Sequence, residues 1–163
     1  MMNMSDYYDF SGQKFGYPLS LSINSFDRHI FSRQKSLELS YVLQGEYQIV
    51  TEKFTSKLSK GELVMIAPGD IHLITHKKDG VILTIHIDFD RMTSAMSGNS
   101  TEAFSTMIVT NQAYDQLKNK ISGILKLIRQ GNYNLYTLNA YMMDILSIAS
   151  QVSFSMSSLP LQD

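Results

Sequence analysis

The chain has 163 residues, contains no cysteine and carries a formal net charge of −1. Its length suits one domain, with or without a small appendage, and the lack of cysteine excludes a disulfide framework, a thiolate nucleophile and a cysteine-based zinc site. The near-neutral charge argues against a domain that binds nucleic acid through its own surface, because such domains carry a basic excess. The sequence shows neither a signal-peptide pattern nor an apolar run of roughly 20 residues, which predicts a cytoplasmic protein with no membrane partner.

Residues 1–18 form the first distinct segment, which combines many aromatic residues with two glycines. Gly12 and Gly16 argue against a helix, while the density of aromatic rings argues against a plain linker. We expect this segment to be an N-terminal arm that packs on another part of the molecule.

Residues 19–92 show a pattern of short strands separated by turns. Apolar and polar residues alternate strictly in LSLSI, from Leu19 to Ile23, as on a half-buried strand. Turn residues recur at short intervals, at Gly45, Gly61, Pro68-Gly69 and Asp79-Gly80. Several short strands with regular turn signals predict a small β-barrel or sandwich.

Residues 93–110 begin with a run rich in serine and threonine and are predicted to form a loop. Beyond them the apolar period becomes helical, so residues 111–155 are predicted to form a two-helix hairpin. The apolar face of the first helix consists of Tyr114, Leu117, Ile121, Ile124, Leu125 and Ile128. The main face of the second, from about Leu135 to Val152, consists of Leu138, Met142, Ile145, Leu146, Ala149 and Val152.

The apolar surface of the second helix is broader than one buried face requires, because Tyr141 and Ile148 extend it sideways. This extra surface either packs within the monomer or forms a dimer seam, and the sequence leaves both possibilities open. The candidate dimerisation residues are Tyr141, Ile145, Ile148 and Val152. Gly123 falls on the polar face of the first helix, where the sequence offers no packing explanation for it.

Two segments of the strand region resemble the two conserved segments of the cupin β-barrel. Glu38, six residues and Gly45 match the end of the first segment. Gly61, five residues, Ala67-Pro68-Gly69, two residues and His72 match the second, with alanine where the motif has proline. The resemblance implies a mainly β fold, a cupin-like (jelly-roll) β-barrel, followed here by the α-helical hairpin.

The His-x-His pair of the cupin metal site is missing, because residues 31–34 read Phe-Ser-Arg-Gln. A catalytic zinc or iron site needs about three protein ligands in one small volume, and only Glu38 and His72 occupy ligand positions of the motif. His76 would share a strand face with His72 but lie roughly 13 Å further along. We therefore expect no metal, no other cofactor and no enzymatic activity.

A metal-free cupin-like barrel followed by two helices resembles the N-terminal sensor half of arabinose-regulator-type (AraC/XylS) bacterial transcription factors. The stretches LELSYVLQGEYQI and LSKGELVMIAPGDIHLI carry this resemblance, which covers roughly residues 19–152. It implies a small-molecule effector, often a sugar, bound in the barrel, and a homodimer formed by the helices. It also implies that DNA is contacted only by a C-terminal domain, which is absent from this chain.

The resemblance also suggests where the effector binds. The candidate ligand-binding residues are Glu38, Arg33, Ser40, Tyr41, His72 and His86 in the barrel, with Tyr8 and Phe10 of the arm as an aromatic cover. Two plainer interpretations stay open: the aromatic residues only cap the core, and Glu38 pairs with Arg33 in a structural ion pair. The orientation of the last strand is equally open. One of its faces carries Thr84 and His86, the other carries the apolar residues that alternate with them, and either face could point inward.

Two other classes of function remain possible at this point. One is a cupin-fold enzyme, such as a sugar isomerase or dioxygenase, with an atypical metal site. The other is a binding or scaffolding barrel that has no DNA partner.

Overall fold

The structure, a computed structural model, describes residues 8–11, 17–25, 31–88, 90–91, 104–131 and 134–157. Within these ranges seven strands are followed by two helices. The strands are β1 (Tyr8–Ser11), β2 (Leu19–Asn24), β3 (Leu37–Thr51), β4 (Thr55–Ser59), β5 (Leu63–Ile66), β6 (His72–Ile87) and β7 (Met107–Val109). The helices are α1 (Asn111–Arg129) and α2 (Leu135–Ser157). None of the helices in these ranges is long and apolar enough to cross a membrane.

The strands form one sheet around two long central strands, β3 and β6, which pair with each other in antiparallel register. The order is β1-β2-β6-β3-β5-β7, with β4 paired to the second half of β3. The described part of the arm, β1, extends the sheet by pairing with β2. The chain divides into two compact units, one with β1–β6 and Thr106–Ile108 and the other with the two helices. A mainly β fold with C-terminal helices was predicted, and the structure confirms it.

Gly45 lies within β3, where the sequence predicted a hairpin turn, so that prediction was wrong. The backbone of Gly45 has a φ of 78°, and the register between β3 and β6 shifts on either side of Gln44. An extra residue at a β-bulge favours glycine, because residues with a Cβ rarely adopt positive φ. The bulge bends β3 without ending it.

Asp79-Gly80 was also predicted to be a turn, whereas β6 continues through both residues. A Cβ atom placed on Gly80 would lie 2.6 Å from Cε2 of Tyr47. Tyr47 is fully buried in the apolar cluster on the inner face of the sheet. Glycine is therefore present here because a buried ring packs directly on the backbone.

The apolar faces predicted for the helices are observed. Leu117, Ile121, Ile124 and Ile128 of α1 are buried, as are the predicted residues of α2 from Leu138 to Ala149. Two details differ from the prediction: α2 continues to Ser157, and β7 lies inside the predicted loop 93–110. Residues 93–103 of that loop fall outside the described ranges. Gly123 also gains an explanation, since the ring of Tyr141 packs on it and a Cβ there would lie 2.6 Å from that ring.

Candidate functional site

A buried carboxylate, Glu38 of β3, is the centre of a polar cluster on the inner face of the sheet. Its side chain is 3% exposed, and its Oε2 atom lies 3.0 Å from Nε2 of His72 and 3.2 Å from Nε2 of His86. His86 is opposite Glu38 in the register of β3 and β6. His72 begins β6 and forms an isolated bridge with Ser32. Three groups distant in sequence thus meet at one oxygen atom.

The second oxygen of Glu38 accepts a hydrogen bond from a chain of two hydroxyl groups. Ser40 Oγ donates to Oε1 at 2.9 Å and lies 3.3 Å from Oγ1 of Thr84. Because the single Ser40 proton is used on Glu38, Thr84 is the donor to Ser40. Thr84 and His86 therefore point to the same side as Glu38, which answers the question about the last strand that the sequence left open.

The environment of Glu38 keeps its carboxylate ionised. Burial raises the pKa of this carboxyl, but hydrogen bonds and charge from His72 and His86 outweigh that effect and hold the pKa well below its ordinary value. Hydrogen bonds donated to a carboxylate favour its charged form. The Glu38 carboxyl is consequently an anion in the folded protein rather than a neutral acid.

His72 is held from its other side by a second small network. Its Nδ1 lies 3.3 Å from the backbone carbonyl oxygen of Asp70. Thr106 Oγ1 donates a hydrogen bond to the Asp70 carboxylate and accepts one from the backbone N–H of Ala67 at 2.9 Å. These contacts fix the Pro68-Gly69 turn region from which His72 enters the sheet.

The partners of His72 determine its protonation state. A backbone carbonyl and an ionised carboxylate are both acceptors only, so both ring nitrogens of His72 carry a proton when both contacts are made. Glu38 and His72 then form a buried ion pair whose charges cancel. Such a pair persists in a protein interior only when its polar atoms are also hydrogen-bonded, and Ser40 supplies that partner to the second oxygen of Glu38.

A cavity of about 360 Å³ adjoins the cluster at His86. It is lined by Pro18, Leu19, Ser20, Gln34, Lys35, Ser36, His86 and Asp88. His86 connects the two, since its Nε2 contacts Glu38 while 20% of its side chain is exposed. Cavities that bind small molecules start at around 300 Å³ and combine an apolar wall with a few oriented polar groups. The size and lining of this cavity therefore suit a small polar molecule.

The structure brings together four of the predicted ligand-binding residues, Glu38, Ser40, His72 and His86. Arg33 is exposed and makes no ion pair with Glu38 among the described residues, so the structural ion pair considered from sequence is replaced by pairs with histidine. Tyr41 lies on the opposite face of β3, because side chains alternate along a strand.

The two predicted arm residues lie in β1, and neither is among the described residues that line the cavity. Phe10 is half-buried and pairs with Leu21 of β2. Tyr8 pairs with Ile23 along the backbone, and its side chain lies outside the described ones. The aromatic cover stays a prediction.

Sequence reasoning missed Ser20, Gln34 and Ser36, which line the cavity. Ser20 is one of the polar positions in the alternating LSLSI pattern, so its face could have been noticed. Its position opposite His86 depends on the pairing of β2 with β6, which no local pattern predicts.

The cluster contains the residue types that bind metals, two imidazoles and one carboxylate. In the structure these groups contact one another directly, at distances typical of hydrogen bonds. Among the described residues, no group of three or more histidine, aspartate or glutamate side chains is arranged to hold a metal ion.

The predicted dimerisation residues differ in how accessible they are. Ile145 is fully buried within the chain, whereas Tyr141, Ile148 and Val152 are half-buried. The ring of Tyr141 is already used against Gly123 of α1. Larger exposed apolar side chains of α2 are Tyr136, at 85%, and Phe154, at 75%. The dimer itself stays a prediction.

No protein-family model matches the chain, and no curated protein sequence is similar to it. Solved structures of cupin proteins resemble it at low identity. A putative ethanolamine utilization protein Q from Salmonella typhimurium LT2 shares 17% identity over 50% of this chain and 68% of that one, with a TM-score of 0.43. A cupin-2 domain protein from Shewanella frigidimarina shares 16% over 53% and 84%, with a TM-score of 0.42.

A variant of the oxalate decarboxylase of Bacillus subtilis shares 17% identity over 53% of this chain and 29% of that one, with a TM-score of 0.44. Overlaps of this extent say nothing about a ligand or a reaction. The fold is a cupin-like β-barrel followed by a helical hairpin, and the strand topology and the inward-facing polar cluster described above carry that assignment.

Proposed function

We propose that this protein senses a small polar effector in its cupin-like barrel, as the ligand-binding module of an arabinose-regulator-type transcription regulator. The observation that supports this proposal best is the cavity lined by His86, a residue that also contacts the buried Glu38 carboxylate. A hydroxyl-bearing molecule, with carbohydrates as the first candidates, suits a lining of serine, glutamine and histidine side chains.

The mechanism that we propose is linkage between effector binding and the arrangement of the helical hairpin. A ligand shifts such an equilibrium only by its differential affinity for the two arrangements. Dimerisation through α2 and DNA binding by a separate domain belong to the same proposal, because the resemblance to the regulator family implies both.

The first experiment is a binding screen that uses thermal shift and then titration calorimetry on the purified protein. The panel contains pentoses, hexoses, polyols and amino acids. A ligand bound in the cavity will lose about 0.5–1.5 kcal/mol of binding free energy in Ser36→Ala, the cost of one hydrogen bond. Ser59→Ala, at an exposed position on β4, is the matched control and will bind with unchanged affinity.

The competing proposal is a cupin enzyme, favoured by the two imidazoles and one carboxylate at the centre of the cluster. Elemental analysis of protein purified without added metal separates the two. Near-stoichiometric zinc, iron or manganese, together with no stabilisation by any compound in the panel, would overturn the sensor proposal and support the enzyme.

A further inference from the structure

The lining of the cavity includes two residues of opposite charge, Lys35 and Asp88. Lys35 precedes β3, and Asp88 directly follows β6. No ion pair between the two is found in the described part of the chain, so neither charge cancels the other. A cleft that carries charges of both signs is complementary to a ligand that carries both as well.

Asp88 is held in place through both its backbone and its side chain. Its backbone N–H donates a hydrogen bond to the carbonyl oxygen of Pro18 at 2.8 Å, which joins two residues of the lining. One oxygen of its carboxylate accepts a hydrogen bond from the backbone N–H of Arg91 at 3.2 Å, and the other lies 3.4 Å from Nε of the same residue. A carboxylate has about four lone-pair sites, so Asp88 keeps acceptor capacity for an ammonium group.

The segment before β3 supplies donors instead. The ammonium group of Lys35 has no ion-pair partner among the described residues. The Ser36 hydroxyl donates a hydrogen bond to Oε1 of Gln34 at 3.4 Å, which leaves the amide N–H groups of Gln34 as donors. The backbone of this segment is fixed as well, since the N–H of Gly69 donates to the carbonyl oxygen of Gln34 at 2.7 Å. This part of the lining therefore suits an anionic group of a ligand.

We infer that the cavity binds a small zwitterion, whose ammonium group contacts Asp88 and whose carboxylate contacts Lys35 and Gln34. This inference rests on the proposed function and narrows it to hydroxyl-bearing molecules that carry both charges. Hydroxy amino acids and amino-sugar acids have this chemistry. A ligand with a single charge leaves one of the two charged residues without a counter-charge, and an uncharged polyol leaves both without one.

The two contacts are expected to differ in strength, because their solvation differs. The side chain of Asp88 is 31% exposed, whereas Lys35 belongs to the exposed residues, where water screens an ion pair. Removing the ammonium group of the ligand should therefore weaken binding about tenfold, as the loss of a hydrogen bond to a charged group does. Removing its carboxylate should weaken binding about threefold, as the loss of a solvated ion pair does.

The test uses titration calorimetry on the whole chain at neutral pH with two sets of four matched probes. The first set is L-serine, L-glycerate without the ammonium group, serinol without the carboxylate, and glycerol without either. The second set is D-glucosaminate, D-gluconate, D-glucosaminitol and D-glucitol, in the same order. We expect the zwitterion of at least one set to bind most tightly. Its advantage over the uncharged polyol should shrink as the salt concentration rises from about 50 to about 500 mM, because salt screens charges.

Two variants of the lining assign the contacts. Asp88→Asn should abolish the preference for the ammonium group and retain that for the carboxylate, and Lys35→Met should do the reverse. Asparagine keeps a side-chain oxygen for the backbone N–H of Arg91, and thermal unfolding checks that both variants are folded. Asp79→Asn and Lys53→Met, at exposed positions that are not among the described lining residues, are the matched controls and will leave both preferences unchanged.

Equal or tighter binding of the uncharged polyols, relative to their zwitterions, overturns the inference and leaves the sensor proposal intact. Preferences for the charged groups that persist in both Asp88→Asn and Lys35→Met have the same consequence, because the zwitterion then binds elsewhere. Binding by none of the eight probes also overturns the inference, and the sensor proposal fails with it only when the remaining sugars, polyols and amino acids of the panel do not bind either.

Discussion

Glu38 Oε2 lies 3.0 Å from Nε2 of His72, so the two segments of the cupin-like motif meet inside the sheet as a buried ion pair. In a metal-containing cupin the corresponding positions would be ligands of one ion. Here the carboxylate instead contacts the imidazole rings of His72 and His86 directly. The pair shapes the site, and its removal affects both stability and binding.

Glu38→Ala is expected to lower the free energy of unfolding by about 3–5 kcal/mol, the cost of removing one partner of a buried ion pair. His72 is left as a buried ring whose positive charge has no partner. Glu52→Ala, at an exposed position in the β3–β4 turn, is the control and will change stability by less than about 0.5 kcal/mol. Urea denaturation measures both, and equal losses in the two variants would contradict the ion pair.

Stability should also fall at acidic pH because of Glu38. Its pKa is lowered on folding from an ordinary value near 4.5. A carboxyl of this kind stabilises the folded state above the unfolded pKa, and that contribution is lost as the pH falls through the folded pKa. Urea titrations at pH 7, 4.5 and 3 should show a larger loss for the wild type than for Glu38→Gln, with the difference confined to pH values below about 4.5. Parallel curves would show that Glu38 has an ordinary pKa.

Gly80→Ala is expected to destabilise the protein by about 1–3 kcal/mol, as overpacking of a core does. The added methyl group would lie under 3 Å from the ring of Tyr47, and that ring is fully buried, so it has no space into which to move. In a Tyr47→Leu background the same substitution should cost much less. A double-mutant cycle followed by thermal unfolding checks this, and a zero coupling energy would contradict the contact.

Gly123→Ala tests a similar contact whose ring is less confined. Alanine favours a helix over glycine by about 1 kcal/mol, but its methyl group would displace the half-buried ring of Tyr141, which also lies 5.6 Å from the Lys120 ammonium group. We expect no net gain in Tm in the wild type and a gain in a Tyr141→Ala background. Ser122→Ala, exposed on the same helix, serves as the control, and a gain of equal size in both backgrounds would contradict the packing.

Thr106→Val removes the hydroxyl group that joins Asp70 to the backbone N–H of Ala67. The buried N–H is left unsatisfied, at a cost of about 1–3 kcal/mol. Because His72 follows directly from this region, the ¹⁵N signals of its ring should shift as well. An unchanged His72 spectrum would show that Thr106 does not position the histidine.

Local sequence patterns were sufficient to predict the fold class and to identify Glu38 and His72 as residues of the site. Alternation in LSLSI and a 3–4 apolar period report burial on one face, and burial of that face is what strands and helices require. Glu38 and His72 were identified by their positions within two motif-like segments, which are also local patterns. Because these signals are local, they can be interpreted without knowing which strands and helices are neighbours in the fold.

Tertiary contacts decided the rest. The meeting of His86 with Glu38 depends on the register of β6 against β3, and a shift by one residue would have turned His86 to the other face. Gly45 and Gly80 look like turn signals in the sequence, because glycine serves turns, bulges and close packing alike. Only the strand partner and the ring of Tyr47 distinguish among those uses, and both are contributed by residues distant along the chain.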